Sequence, residues 1–331
     1  MKANPILKKE LVLGARSIKL PLALLFYSAC LSVTALVTLD GMTGFGQVYR
    51  EIEYETLTSI FLVLAYMQLF MICVIIPVLT AGSIAGERER QTLDIMLTAP
   101  ISPLSIVLGK LFSAMCNIFL FVISSLPAMA IAFLYGGIRW EYLLIFMVSI
   151  MCIAFFSGAI GIWCSSIYKK TIVSVIMTMI VELAFFLGTI LILLGYYYIK
   201  YERILETGGT IPANGIDVGW VPAILLLNPA VGFTDAIYTA YTGSSGAEMI
   251  LKNSFFGNAA SGLVKICPWW SWISMGVTIL LGIGFVMLAA GRIDSVRRRE
   301  KHRNTGHKAG RSKKQKRKEQ DPHESLKEIQ Q

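Results

Sequence analysis

The feature that most constrains this chain is a set of six long apolar runs separated by shorter polar stretches. A helix needs about 20 mostly apolar residues to cross the hydrocarbon core of a bilayer, and each run reaches that length. The runs do not alternate polar and apolar residues as barrel strands do, and only 15% of the chain is charged, which excludes an ordinary soluble domain. We therefore expect an all-α integral membrane protein, a bundle of six transmembrane helices at about 20–39, 60–82, 110–135, 142–167, 171–199 and 270–290.

The distribution of Lys and Arg predicts how this bundle is oriented. Of the 30 basic residues, 24 fall on the side of the membrane that holds both termini, and six fall on the other side. Loops rich in Lys and Arg stay in the cytoplasm, so we expect both termini there. The first run stays apolar to Leu39, which is too long for the apolar region of a secretion signal, so we expect an uncleaved span. The transmembrane domain then covers residues 20–291.

Three segments outside the spans differ from plain loops. Residues 1–19 place apolar and basic side chains on different helical faces, which predicts an amphipathic interfacial helix; an ordinary basic flank is the alternative. The external loop at about 200–269 contains an apolar run broken at Pro222 and Asn228-Pro229. This run predicts a re-entrant or interfacial segment, with a small external domain as the alternative. Residues 292–331 are strongly basic without aromatic residues, so we predict a disordered cytoplasmic tail that contacts anionic lipid, or merely anchors the topology, and binds no nucleic acid.

The stretch between spans two and three is highly charged: AGSIAGERERQTLDIMLTAPISPLSIVLGK, residues 81–110. Two glycines four residues apart permit a close backbone approach or a sharp turn, and three apolar residues then recur at helical spacing before a proline. These positions are Gly82, Gly86, Leu93, Met96, Leu97 and Pro100. A short surface helix with an apolar edge is the form expected of an element that docks into a groove on a cytoplasmic partner. A solvated loop is the alternative.

This stretch resembles the signature region of the permease subunits in the second class of ABC transporters, the ABC-2 permease family. The similarity lies in GERERQTLDIMLTAPIS and the Gly-Lys before the next span. Gln91 stands where the family commonly has Gly, and Asp94 where it commonly has Glu. Six spans, internal termini and a longest external loop between spans five and six are also similar to the family plan.

The resemblance implies a membrane-spanning permease subunit of an ABC exporter in a bacterial cell (plasma) membrane. Two permeases, as a homodimer or a heterodimer, would form the translocation path on separate ABC ATP-binding subunits, which would carry ATP and Mg²⁺. Residues 86–100 would be a coupling helix seated in a cleft of the ATPase. The residues implied to couple to the ATPase are Gly86, Glu87, Arg88, Glu89, Thr92, Leu93, Met96, Leu97 and Pro100.

The chain carries no signature of nucleotide chemistry of its own. The Gly-Lys in LGKLF, residues 108–112, lacks the upstream Gly and the following Ser or Thr of a phosphate-binding loop. All three His residues lie in the tail, which argues against a His-ligated metal within the bundle. We therefore expect a transport subunit that is no enzyme and has no cofactor or metal, with ATP hydrolysis on a separate chain.

Two polar residues within the predicted spans are further candidates. Glu182 in MIVELAFFLG is the one acid well inside an apolar run, and Asn117 in span three is a lesser polar feature. A carboxylate in hydrocarbon is costly, so Glu182 predicts a proton- or cation-responsive site, or else an interhelical hydrogen bond or dimer contact. Ion coupling at Glu182 would make the chain a stand-alone secondary transporter. A membrane scaffold or sensor with a basic tail is a third class, which leaves residues 81–110 without a purpose.

Overall fold

The computed structural model describes residues 10, 12, 17–43, 54–92, 102–136, 140–209, 216, 219–242, 245–246 and 269–320. Within these ranges the chain forms helices and turns, with no strand. In order, the elements are α1 (Lys19–Thr43), α2 (Tyr54–Thr80), α3 (Gly82–Glu89), α4 (Pro103–Gly136), α5 (Trp140–Ile167), α6 (Thr171–Leu183), a π-helical turn (Ala184–Gly188), α7 (Thr189–Glu206), a 3-10 helix (Val221–Leu227), α8 (Pro229–Thr242) and α9 (Trp270–Gln320).

Among the described residues, six helical segments are long and apolar enough to cross a membrane, and a bent pair would make a seventh if it were counted as one span. Span one is α1, span two is α2 together with α3, span three is α4 and span four is α5. Span five is α6, the π turn and α7, and span six is the first half of α9. The predicted all-α bundle of six transmembrane helices is confirmed. Span three begins at Pro103, seven residues before the apolar run suggested, because the Ser102 hydroxyl caps it by accepting the Ser105 N–H at 3.3 Å.

Span four lies at the centre of the described bundle, where it packs against spans two, three, five and six and against α8. Its Phe146 makes edge-to-face contacts with Phe61 and with Phe233 of α8, each with ring centroids 6.0 Å apart. Gly161 brings spans two and four together, because a Cβ at this position would overlap the Thr80 side chain. Spans one and five are instead mostly exposed and offer apolar surface to lipid.

The apolar run that the sequence shows to be broken folds as two short helices. The 3-10 helix and α8 meet at 89°. Asn228, which is fully buried, stands at the bend, and its Nδ2 donates to Phe186 O and to Thr189 Oγ1, both at 2.8 Å. Its Oδ1 accepts the Ala230 N–H at 3.0 Å. One side chain therefore caps α8 and fastens the bent pair to the π turn of span five.

Span six continues as a helix to Gln320, into the segment for which the sequence predicts disorder. The reason for the difference is local, since Lys, Arg, Glu and Gln have high helix propensity and no proline occurs in this segment before Pro322. A helix that is already nucleated by span six extends at little cost. Most of the interfacial helix predicted at 1–19 and residues 321–331 lie outside the described residues, and the domain boundaries stay predictions.

Candidate functional site

One end of the bundle gathers a polar cluster that we call the clasp. Its members come from the N-terminal segment and from spans two to five: Glu10, α3, residues 90–92, Lys110 and residues 165–171. Near the end of span six, Ile293 belongs to the same buried apolar cluster as Ile84 of α3. Among the described residues, the clasp therefore brings together the ends of spans two to five that are predicted to face the cytoplasm.

The start of α3 is held by span four. Ala81 stands at the N-cap and has no side chain that could cap the helix. Instead, the Ser165 hydroxyl accepts the N–H groups of Ile84 at 2.9 Å and Ala85 at 2.8 Å, which satisfies two of the first donors of the helix. Gly82 and Gly86 leave room for Thr171, as their spacing predicts, since a Cβ on Gly82 would lie 3.2 Å from Thr171 Cγ2.

Lys110 is the buried cation of the clasp, with a side chain only 2% exposed. Its ammonium group donates to Glu87 Oε1 at 3.0 Å, to Glu10 Oε1 at 3.2 Å and to Ser83 O at 2.8 Å. An ammonium group has three donors, so all three are used, and two carboxylates neutralise the charge. Lys110 thereby joins span three to α3 and to the N-terminal segment.

Arg88 and Glu89 join α3 to the junction between spans four and five. The Arg88 guanidinium donates to Tyr168 O and to Ser166 O, both at 3.2 Å, at the carboxyl end of span four where carbonyls lack helical partners. The Glu89 carboxylate accepts the Thr171 N–H at 3.0 Å and the Thr171 hydroxyl at 2.7 Å. Glu89 therefore caps α6 from a distant part of the sequence, where Lys170 provides no cap of its own.

The end of α3 is a tight turn at residues 90–92. Gln91 has a φ of +58°, in the left-handed region that favours glycine. Thr92 folds back, and its N–H and hydroxyl both donate to Glu87 O, at 2.9 and 3.1 Å. The strained Gln91 thus occupies the position where the similar family commonly has Gly.

The predicted coupling residues divide into two groups. Gly86, Glu87, Arg88, Glu89 and Thr92 all lie in the clasp, where the last four make hydrogen bonds within the chain. Leu93, Met96, Leu97 and Pro100 lie outside the described residues. The sequence missed Ser165 and Glu10 as partners, because nothing local distinguishes them from other residues at helix ends.

The intramembrane candidates Glu182 and Asn117 lie on different spans. Glu182 is 4% exposed on α6, and its Oε1 has no hydrogen-bond partner. Asn117 is partly exposed on span three, and the described hydrogen bonds do not connect it to Glu182. Two further polar residues that the sequence reading passed over, Ser174 and Thr178, are fully buried on the same helix as Glu182. Their spacing of four residues is a signal that the sequence already contains.

These features define a multi-span helical membrane protein whose charged loop is bound into its own bundle. A family model described as ABC-2 family transporter protein matches residues 4–294. The chain belongs to this family, whose members are the membrane components of transporters and are not catalytic themselves. A comparison with curated proteins finds no match.

Proposed function

We propose that this protein is the permease subunit of an ABC exporter, with the clasp at the cytoplasmic face of a bacterial cell membrane. Two copies, or one copy and a related permease, form the translocation path. Separate ATP-binding subunits bind ATP and Mg²⁺ and drive the spans through residues 86–100. The ABC-2 family generally works with such subunits, which supports the proposal.

The observation that carries this proposal is that the clasp connects the charged loop to several spans at once. The loop that leaves α3 at Thr92 begins from a helix bonded to span four by Ser165, to span three by Lys110 and to span five by Glu89. A displacement of residues 93–100 would therefore be transmitted to spans three, four and five through these bonds, and to span two through the chain itself. A loop without such bonds would bend when it is displaced, and the spans would not move with it.

Within this proposal, the charged and the apolar residues of the loop have different tasks. Glu87, Arg88 and Glu89 hold α3 on the bundle through their hydrogen bonds to spans three, four and five. Leu93, Met96 and Leu97 provide the apolar edge that enters the ATPase cleft. Substitutions in the first group then weaken the permease itself, and substitutions in the second group weaken only its association with the ATPase.

Affinity purification of the tagged protein in mild detergent tests this division. We expect an ATPase with a phosphate-binding loop, identified by mass spectrometry and by ATP hydrolysis, to accompany the wild type. It should be lost from Leu93→Asp/Leu97→Asp while the permease elutes unchanged. Leu205→Asp is the matched control, because Leu205 is exposed at the opposite end of the bundle. Absence of any ATPase from the wild type, or its retention by the double variant, would contradict the proposal.

A stand-alone secondary transporter is a second candidate, and one observation favours it. Glu182 is an acid buried in the middle of a span with an unpartnered oxygen, which is a feature of ion-coupled carriers. A permease that catalyses transport in proteoliposomes without any ATPase would establish this alternative.

A further inference from the structure

The buried face of α6 carries a polar stripe, which we define as Ser174, Thr178 and Glu182. Residues four apart lie on one face of a helix, so the three side chains follow one another along α6. All three are buried against the bundle, with Ser174 and Thr178 fully enclosed. With a rise of about 1.5 Å per residue, Glu182 lies about 16 Å from Thr171, roughly half of the way across a hydrocarbon core of about 30 Å. The polar stripe thus leads from the clasp to mid-membrane.

Span four supplies the facing wall of the polar stripe. The Ser157 hydroxyl lies beside the Glu182 carboxyl, and the Cys164 thiol lies beside Thr178. Ser157 is fully buried, and neither its hydroxyl nor the Oε1 of Glu182 makes a hydrogen bond of good geometry. One serine hydroxyl can donate to only one of the several acceptor positions of an ionised carboxyl, so a buried carboxylate keeps unsatisfied acceptors and an uncompensated charge at this depth. A proton on the carboxyl removes the charge and makes the group a donor for the serine oxygen.

The charges around Glu182 indicate which ligand fits. Span two, α3, span four and the π turn pack against α6. From these elements the titratable groups near Glu182 are Cys73 of span two and Cys164 of span four, and a cysteine side chain cannot supply a positive charge. The π turn contains only apolar residues, and the charged Glu89 of α3 contacts Thr171 at the far end of α6. No cation among the described residues compensates Glu182, and an isolated carboxylate in this environment is very costly.

We propose that Glu182 and Ser157 form a binding site for one exchangeable proton and that the polar stripe connects this site to the clasp end. A proton from the aqueous phase forms an O–H bond at one carboxylate oxygen and leaves a neutral carboxyl that donates to Ser157. Release returns the proton to water and the negative charge to the carboxylate. The site lies directly before the π turn, and π turns within helices are frequent at functional sites. This proton site goes beyond the proposed function, and proton binding there requires no ATPase.

Infrared difference spectroscopy of the purified permease in lipid nanodiscs, recorded as the pH is raised, tests the site. We expect a carbonyl band of a protonated carboxyl that disappears reversibly at high pH. The band should be absent from Glu182→Gln and shifted in Glu182→Asp, which also provides the assignment if Glu182→Gln does not fold. Glu206→Gln is the matched control, because Glu206 is exposed on the same span and its loss should leave the band unchanged.

The same experiment tests whether protons reach Glu182 along the polar stripe, through the rate of hydrogen–deuterium exchange at the carboxyl. Thr178→Val keeps the shape of the side chain and removes the hydroxyl, so we expect hydrogen–deuterium exchange of the carboxyl band to slow about tenfold, equivalent to about 1.4 kcal/mol of barrier. Unchanged exchange would overturn the route through the polar stripe. A wild type without the band at any pH, or with a band that persists at every pH, would overturn the site. Neither result bears on whether an ATPase accompanies the permease.

Discussion

Lys110 and Glu87 form the shortest ion pair of the clasp, with Nζ and Oε1 3.0 Å apart, and they join span three to α3 at the end of span two. Lys110 is almost fully enclosed, and Glu87 Oε2 is buried with no hydrogen-bond partner. The pair is 23 residues apart in sequence, so it fixes a long-range contact. Its energetic role follows from burial, because removal of one partner leaves the other charge without compensation.

Lys110→Met should lower the free energy of unfolding by roughly 2–3 kcal/mol, because it leaves the partly buried carboxylates of Glu87 and Glu10 without a compensating cation. Lys110→Met/Glu87→Gln should recover part of this loss, since one of the two uncompensated carboxylates is gone. Thermal denaturation in detergent measures both. Lys170→Met is the control, because Lys170 is exposed at the same end and should change little. Equal losses for Lys110 and Lys170 would show that the ion pair contributes nothing.

Gln91→Gly should raise the free energy of unfolding by about 1 kcal/mol, because a residue with a Cβ is strained in the left-handed region. Gln91→Ala keeps the Cβ and should bring no comparable gain. Chemical denaturation of the two variants side by side gives the difference. If alanine stabilises as much as glycine, the turn at residues 90–92 does not have this backbone conformation.

Gly161→Ala should destabilise the bundle by about 1–3 kcal/mol, because the added methyl group would overlap Thr80 and push spans two and four apart. Gly276→Ala in span six is matched to it, since nothing lies within 4 Å of a Cβ there. The control should be neutral or slightly stabilising, as alanine is the better helix former. A shift of the melting temperature in the same direction and by the same amount for both would argue against the close approach.

Asn228→Ala should cost about 2 kcal/mol, because it leaves Phe186 O without its donor and α8 without its cap. Asn228→Asp keeps the cap but loses the donor, so it should also destabilise despite its similar shape. Hydrogen exchange of α8 and of residues 184–189 would report the loosening. Thr234→Ala, which removes a hydroxyl bonded only within α8, should stay within about 0.5 kcal/mol of the wild type.

How much of this structure the sequence predicts depends on how far apart the interacting residues lie. Each span is set by about 20 consecutive residues, so the apolar runs predicted the bundle, although span three starts at Pro103, seven residues before its apolar run. Ser165 accepts hydrogen bonds from two residues at the start of α3 that precede it by 81 and 80 positions in the sequence. No local pattern gives such a pair, because it depends on how the helices pack.

The polar stripe follows from a local pattern of the sequence, of which the sequence analysis uses only Glu182. The run TIVSVIMTMIVEL places Ser174, Thr178 and Glu182 four residues apart, which already predicts one face. The facing Ser157 belongs to a segment of small residues that is equally typical of helix contacts. Its role beside Glu182 required the packing of spans four and five.

The most direct test of the central claim is a cross-link between residues 86–100 and the ATPase. A photoreactive amino acid placed at position 97, or at position 205 as the control, would be activated in membranes of cells that produce the protein. The account predicts a cross-linked product with an ATPase that contains a phosphate-binding loop, from position 97 and not from position 205. A cross-link to that ATPase from position 205 alone, or from neither position while the ATPase still co-purifies, would contradict coupling through this loop.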